Sequence, residues 1–242
     1  MATVAYAAAP PAGNRSILGH PPGLFLLFLV EMWERFSYYG MRGLLVLYLV
    51  TAATGDNPGR GWSKEAAANL YGWYTGMAYL LPVFGGLIAD KLIGAHRSLL
   101  VGGLVIALGH LALAASGLGG LAQSHPGMSV FVFGLVLIVI GTGHFKPNVS
   151  VMVGALYPPN DPRRDGAFTI FYMGINLGAF ICAFVCGTLA RSWAGTGASG
   201  RRRLGCFWDW PCTCRCARAC WATSATRRRG SATRRSSSPP RR

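Results

Sequence analysis

"GLFLLFLVEMWERFSYYGMRGLLVLYLV", residues 23–50, is an apolar run long enough to cross a bilayer, yet Glu31, Glu34, Arg35 and Arg42 stand inside it. A helix needs about 20 residues to span the hydrocarbon core, and each charge near its centre costs roughly 2.5–3.5 kcal/mol on the insertion scale. Glu31, Glu34 and Arg35 fall at i, i+3 and i+4 and therefore share one helix face. Such a face is tolerated where it meets other protein or a water-filled cavity. Two acids beside one arginine pair only in part, which leaves one carboxylate able to take up a proton. The alternative is a structural ion pair, or a segment end whose charges snorkel to the interface.

Four more apolar stretches follow, at roughly 66–92, 98–117, 128–156 and 167–189. With 52% hydrophobic and 13% charged residues, the chain reads as all-α, a polytopic helical membrane protein. No ten-residue alternation argues for a barrel. Residues 1–22 read as a flexible Ala/Pro lead and make a poor signal peptide. The connection after the second stretch holds Lys91 and Arg97, and the one after the fourth holds Arg163 and Arg164. The third-to-fourth connection has no Lys or Arg, while the first-to-second has Arg60 and Lys64. The bias places the N-terminus in the cytoplasm of a multi-pass protein of the cytoplasmic (inner) membrane.

The fourth stretch repeats the anomaly in "GTGHFKPNVS", where Lys146 precedes Pro147 in an apolar context. Pro147 removes a backbone donor and loosens the helix. A desolvated Lys146 facing the intramembrane glutamates would make a proton-coupling pair; the alternative is a lysine snorkelling from a helix that ends near Gly143. Asn148 and Asn176 are open to two readings, a helix–helix hydrogen bond or a ligand contact. Among the tyrosines, Tyr38 and Tyr39 are the better candidates for a cavity wall; Tyr71, Tyr74 and Tyr79 read first as belt or packing residues.

Together these residues resemble the proton-coupled oligopeptide transporter family of the major facilitator superfamily. The family pattern Glu-x-x-Glu-Arg-Phe-x-Tyr-Tyr-Gly is met by residues 31–40, and "GTGHFKPN", "FYMGINLGAF" and "GGLIADKLIGAHR" resemble three further family motifs. His144 departs from the pattern, and packing and a proton relay are the two readings of it. The resemblance implies twelve helices in two halves, with substrate held between the halves near the midplane. This chain would supply the first five helices of a six-helix bundle, over 23–191. Arg35 would meet the carboxylate end of a di- or tripeptide, with Tyr38, Tyr39, Arg42 and Tyr74 lining the pocket. Asn176 would contact peptide backbone. Glu31, Glu34 and Lys146 would couple proton uptake to peptide movement. Protons serve as the coupling ion, with no other cofactor and no metal; the partners are small peptides, protons and the lipid bilayer, not nucleic acid.

Residues 192–242 differ in kind. They hold twelve arginines and one acid, Asp209, and so carry +11 of the formal +15. Five cysteines fall between Cys206 and Cys220, but no C-x2-C pair and no His accompany them, so zinc spacing is absent; their odd count argues against a closed set of disulfides. Back-translating Cys206–Cys214 and reading from two bases later gives Phe/Leu, Leu, Gly, Leu, Ala and further membrane-helix residues. The stretch therefore reads as an out-of-frame, disordered Arg/Cys-rich tail beginning near Arg191, in place of a sixth helix and a second transporter half. A chain with one wall of the cavity would not transport alone. The competing readings are a transporter of another small solute, and a non-transporting anchor whose basic tail binds anionic lipid or RNA. No nucleophile–base arrangement or phosphate loop points to an enzyme.

Overall fold

The computed structural model describes residues 16–54, 59–118, 121 and 123–188, with the helical backbone of 189–195. Each apolar stretch becomes a helix: α1 Pro22–Val50, α2 Lys64–Ile88, α3 Ala95–Ser116, α4 His125–Ala155 and α5 Arg163–Gly195. Local chemistry sets the ends. Pro22 opens α1 where its missing N–H costs nothing. The Ser63 hydroxyl accepts from the Ala66 amide at the start of α2, and Ser124 does the same for Gly127 at α4. A π-turn, Ala89–Ile93, prolongs α2 until Gly94 turns the chain with φ of 80°. α4 stays helical through Pro147, so the expected loosening does not interrupt it.

Among the described residues, four helical segments are long and apolar enough to cross a membrane: Lys64–Ile93, Ala95–Ser116, His125–Ala155 and Arg163–Thr188. The sequence suggested five. α1 has 29 residues, about 44 Å at 1.5 Å per residue, so length is not the reason. Its ionisable residues lower its hydropathy below that of the other four.

Glycines set the packing. A Cβ on Gly102 would come within 2.7 Å of Gly141 O, and one on Gly109 within 2.8 Å of Gly134 O. The order of these pairs makes α3 and α4 antiparallel and brings their backbones into direct contact. Gly174 sits on Phe28, Gly178 on Met32 and Gly40 on Cys186, so α1 and α5 run parallel. Gly85 against Gly143 and Gly86 against Pro147 show that α2 and α4 also run parallel. The apolar core divides in two. One cluster joins Leu24, Leu27 and Val30 to Val149, Val153 and Phe171; the other joins Tyr38, Leu45 and Leu49 to Tyr74, Ala78 and Leu135. Glu31, Glu34 and Arg35 occupy the level between them.

Both ends of α1 are tied down. After it, the amides of Gly59, Arg60, Gly61 and Trp62 donate to the carbonyls of Ala52, Tyr48, Thr51 and Leu49 at 2.8, 2.9, 2.7 and 2.9 Å. Gln123 Nε2 donates to Gly59 O at 2.6 Å. Before it, Ile17 and His20 exchange backbone hydrogen bonds across a turn in which Leu18 and Gly19 take φ of 50° and 78°. His20 Nδ1 lies 2.7 Å from the Tyr157 hydroxyl, and Arg163 Nη1 donates to Gly19 O at 3.0 Å. The lead expected to be flexible over 1–22 is therefore fixed from Ile17 onward, because the corner between α4 and α5 offers it polar partners; residues 1–15 lie outside the described residues. α5 likewise runs to Gly195, past the boundary drawn at Arg191. The tail from residue 196, with Cys206–Cys220 and the proposed frame change, lies outside the described residues.

The corner makes a pH prediction. Arg163 Nε and Nη2 donate to the two Asp161 carboxylate oxygens at 3.1 and 2.7 Å, and the Arg163 amide adds a third bond at 2.9 Å. These side-chain and then backbone hydrogen bonds hold the Asp161 carboxyl down at about 2. A depressed acid contributes stability that is complete above its unfolded value, about 3.9, and lost as pH falls towards the folded one. The Arg163 Nε–H resonance is expected to stay constant from about pH 7 to 4 and to move only below that range. A midpoint at the ordinary aspartate value would show that the pair is not formed.

Candidate functional site

The charges on α1 are buried together. Glu31 is 1% exposed, Arg35 6% and Glu34 8%. Arg35 Nε donates to Glu31 Oε1 at 2.7 Å, and Glu34 Oε2 lies 2.9 Å from the same nitrogen. The second contact is an ion pair without hydrogen-bond alignment. Glu31 Oε2, Glu34 Oε2 and the Tyr74 hydroxyl are all buried without a hydrogen-bond partner among the described residues. The one hydrogen bond from the guanidinium to a described residue is that of Nε; Nη1 and Nη2, its forked end, donate none there. One arginine against two acids leaves a local excess of negative charge in a site that burial has stripped of water.

Further along the same face, Arg42 Nε donates to the Tyr71 hydroxyl at 2.9 Å, and Nη2 bonds the same oxygen. The Arg42 guanidinium stands 5.3 Å from the Tyr38 ring centre and 5.1 Å from that of Tyr71, while Arg35 lies 5.8 Å from Tyr38. Tyr38 is thus shared between two cations. Tyr39, Arg42, Gly43, Val46 and Tyr71 line an open groove of about 530 Å³. Tyr74 is buried on α2, in the same apolar cluster as Tyr38.

Lys146 makes no ion pair with Glu31 or Glu34 among the described residues. Its Nζ rests 4.5 Å from the Tyr79 ring centre, and its charge reaches both carboxylates through space. Asn176 is exposed on α5 and donates to Tyr172 O, one turn back, at 3.0 Å. Asn148 makes a helix–helix bond: Nδ2 donates to Ser98 Oγ of α3 at 3.0 Å and to His144 O at 2.7 Å. His144 Nδ1 lies 3.1 Å from the same Ser98 hydroxyl. The departure at His144 is thus a packing and hydrogen-bonding residue of the α3–α4 interface, not a neighbour of the glutamates. Two residues along a helix turn by about 200°, which separates it from Lys146.

Tyr71 and Tyr79 are the site residues that sequence reasoning left among belt aromatics. Their signal was the repeat Tyr71, Tyr74, Tyr79 on one side of α2, opposite the charged face of α1.

The model of the POT family, PTR2, matches residues 96–216. The chain belongs to the POT family. It is 48% identical over 180 residues to a peptide transporter of Yersinia enterocolitica, YePEPT, covering 74% of this chain and 34% of that protein. A di-/tripeptide transporter of Lactococcus lactis is 45% identical over 178 residues, again 74% of this chain and 34% of the relative. A solved peptide transporter POT in complex with sulfate superposes with a TM-score of 0.73 at 40% identity, over 87% of this chain and 39% of that one. A POT family transporter in complex with 5-aminolevulinic acid gives 0.70 at 34% identity, over 84% and 38%. This POT chain is thus a multi-pass membrane protein that spans about a third of the length of the curated relatives it matches. The matched range crosses Arg191 and takes in part of the cysteine-rich stretch.

Proposed function

We propose that this chain forms one wall of a proton-coupled symporter for di- and tripeptides in the cytoplasmic membrane, with its N-terminus in the cytoplasm. The observation that carries the reading is the Arg35 fork. Two buried glutamates hold its Nε, while its two terminal nitrogens remain for a planar, bidentate anion such as a peptide carboxylate. Glu31 and Glu34 would take up the proton, since each keeps a buried oxygen without a partner. Lys146, held over Tyr79, would respond through its charge and not through direct contact. Tyr38, Tyr39, Arg42 and Tyr74 would line the pocket, and Asn176 would turn towards peptide backbone at the exposed face of α5. Protons are the coupling ion, and the facing wall would come from a second transporter half.

The test is uptake of a radiolabelled dipeptide into proteoliposomes under an inward proton gradient. This chain alone is expected to give none. A chimera joining residues 1–191 to the remainder of the Yersinia relative is expected to import the dipeptide. In that chimera Arg35→Ala should lower uptake about 10- to 100-fold, for the loss of about 1.5–3 kcal/mol of charge-assisted hydrogen bonding. A folded chimera that moves no peptide under any gradient would sink the reading.

A further inference from the structure

α1 meets α5 along one flank through Gly174, Gly178 and Gly40, and meets α3 on the other through a polar contact. Ser37 Oγ lies 2.9 Å from His110 Nε2, and His110 Nδ1 lies 2.9 Å from Ile106 O of its own helix. A carbonyl only accepts, so Nδ1 carries a hydrogen; in the neutral ring this leaves Nε2 to accept from the Ser37 hydroxyl. Both ring nitrogens are then satisfied, and the bond to Ile106 O fixes the ring's orientation.

The base of this contact is rigid. Gly109, the neighbour of His110, packs directly on Gly134, where an added Cβ would lie 2.8 Å from Gly134 O. α3 is therefore pinned to α4 at this level. The α1–α5 contact is also glycine on backbone, Gly174 on Phe28 and Gly178 on Met32, and it sets how close those two helices come. The Ser37–His110 hydrogen bond adds a direction: it ties the rotation of α1 to the α3–α4 pair on the opposite flank. On α1, Ser37 lies about 60° around the axis from Glu34 and about 160° from Arg35 at 100° per residue. Turning α1 enough to break the Ser37 bond would turn both charged residues away from the site.

We propose that His110 is a positioning residue: through Ser37 it fixes the rotation of α1 against the α3–α4 pair and keeps Glu34 and Arg35 turned into the site. This rests on reading those residues as the proton-coupling site. Neither Ser37 nor His110 belongs to that machinery. The charged and titratable groups bearing on Glu34 are Arg35, Glu31 and Tyr38 of α1, Tyr74 of α2 and Lys146 of α4. Rotation of α1 would change the distances from Glu34 to the groups on α2 and α4.

The experiment is an infrared pH titration of the protonated-carboxyl band in this chain, reconstituted in lipid, with Glu31→Gln and Glu34→Gln assigning the signals. Ser37→Val and Ser37→Thr have nearly the same shape and differ in the hydroxyl. Ser37→Val and His110→Ala are expected to move the Glu34 midpoint by at least about half a pH unit, while Ser37→Thr leaves it in place. A role in stability alone would lower the unfolding temperature and leave the midpoint unmoved, and that result would overturn the proposal. So would a carboxyl band that appears at no pH. Neither outcome bears on dipeptide uptake by the chimera, which separately decides the parent reading.

Discussion

Replacing Arg35 with alanine is expected to destabilise the folded chain by about 3–5 kcal/mol at neutral pH, the cost of stranding buried charge. Glu31 and Glu34 are 1% and 8% exposed, and Arg35 is the cation each contacts directly. Without it they must lose their charge or leave the interior. Lowering the pH supplies the first escape, so the deficit of the variant should shrink as the solution is made acidic. The sign follows from proton binding: the stranded carboxylates take up protons in the folded variant, and folding then becomes easier at lower pH. Arg35→Lys keeps a charge but not the position of Nε, and should fall between the two. Thermal unfolding in detergent at about pH 7.5 and pH 5 checks this; an alanine variant as stable as the parent at both would show that the pair contributes nothing.

The second large effect comes from neighbouring glycines. Gly102→Val should destabilise the α3–α4 pair by about 3 kcal/mol or more, because its Cβ would stand 2.7 Å from both Gly141 O and Phe145 N. Those are backbone atoms that cannot swing aside, so the helices would have to part. Gly103 has nothing within 4 Å of an added Cβ. Gly103→Ala should therefore be neutral, or stabilising by about 0.5–1 kcal/mol through better helix propensity. Unfolding of the two variants side by side gives the contrast. Equal losses would mean that α3 and α4 are not in backbone contact.

The five helices were legible because each apolar run is long and lies between breaks that chemistry marks, such as Ser63, Gly94 and Ser124. The charged face of α1 was legible for the same reason: spacing alone puts Glu31, Glu34 and Arg35 together, and the structure joins them at 2.7 and 2.9 Å. What the sequence did not contain was how each helix is turned towards its neighbours. Lys146 was expected to face the glutamates; its Nζ lies over Tyr79, with its charge reaching them through space. Asn176 bonds within its own helix, and the Ser37–His110 contact went unnoticed, because residues far apart in the chain meet only once two helices have fixed their rotations. Leu18 and Gly19 carry no strong sequence signal for a fixed turn, since the partners that hold the turn, Tyr157 and Arg163, come from the far end of α4 and the start of α5.

The wrap of residues 59–62 over the end of α1 has a mechanical consequence. A connector usually gives a helix slack, so that it can slide or unwind by a turn without disturbing the next. Here the carbonyls of Tyr48, Leu49, Thr51 and Ala52 are already taken by the segment that leads into α2. α1 therefore cannot fray or slide at that end without pulling α2 with it, and α2 lies along α4 through Gly85 and Gly143. Any shift of α1 at that end would therefore carry α2 with it, and with α2 the Tyr79 ring on which Lys146 rests.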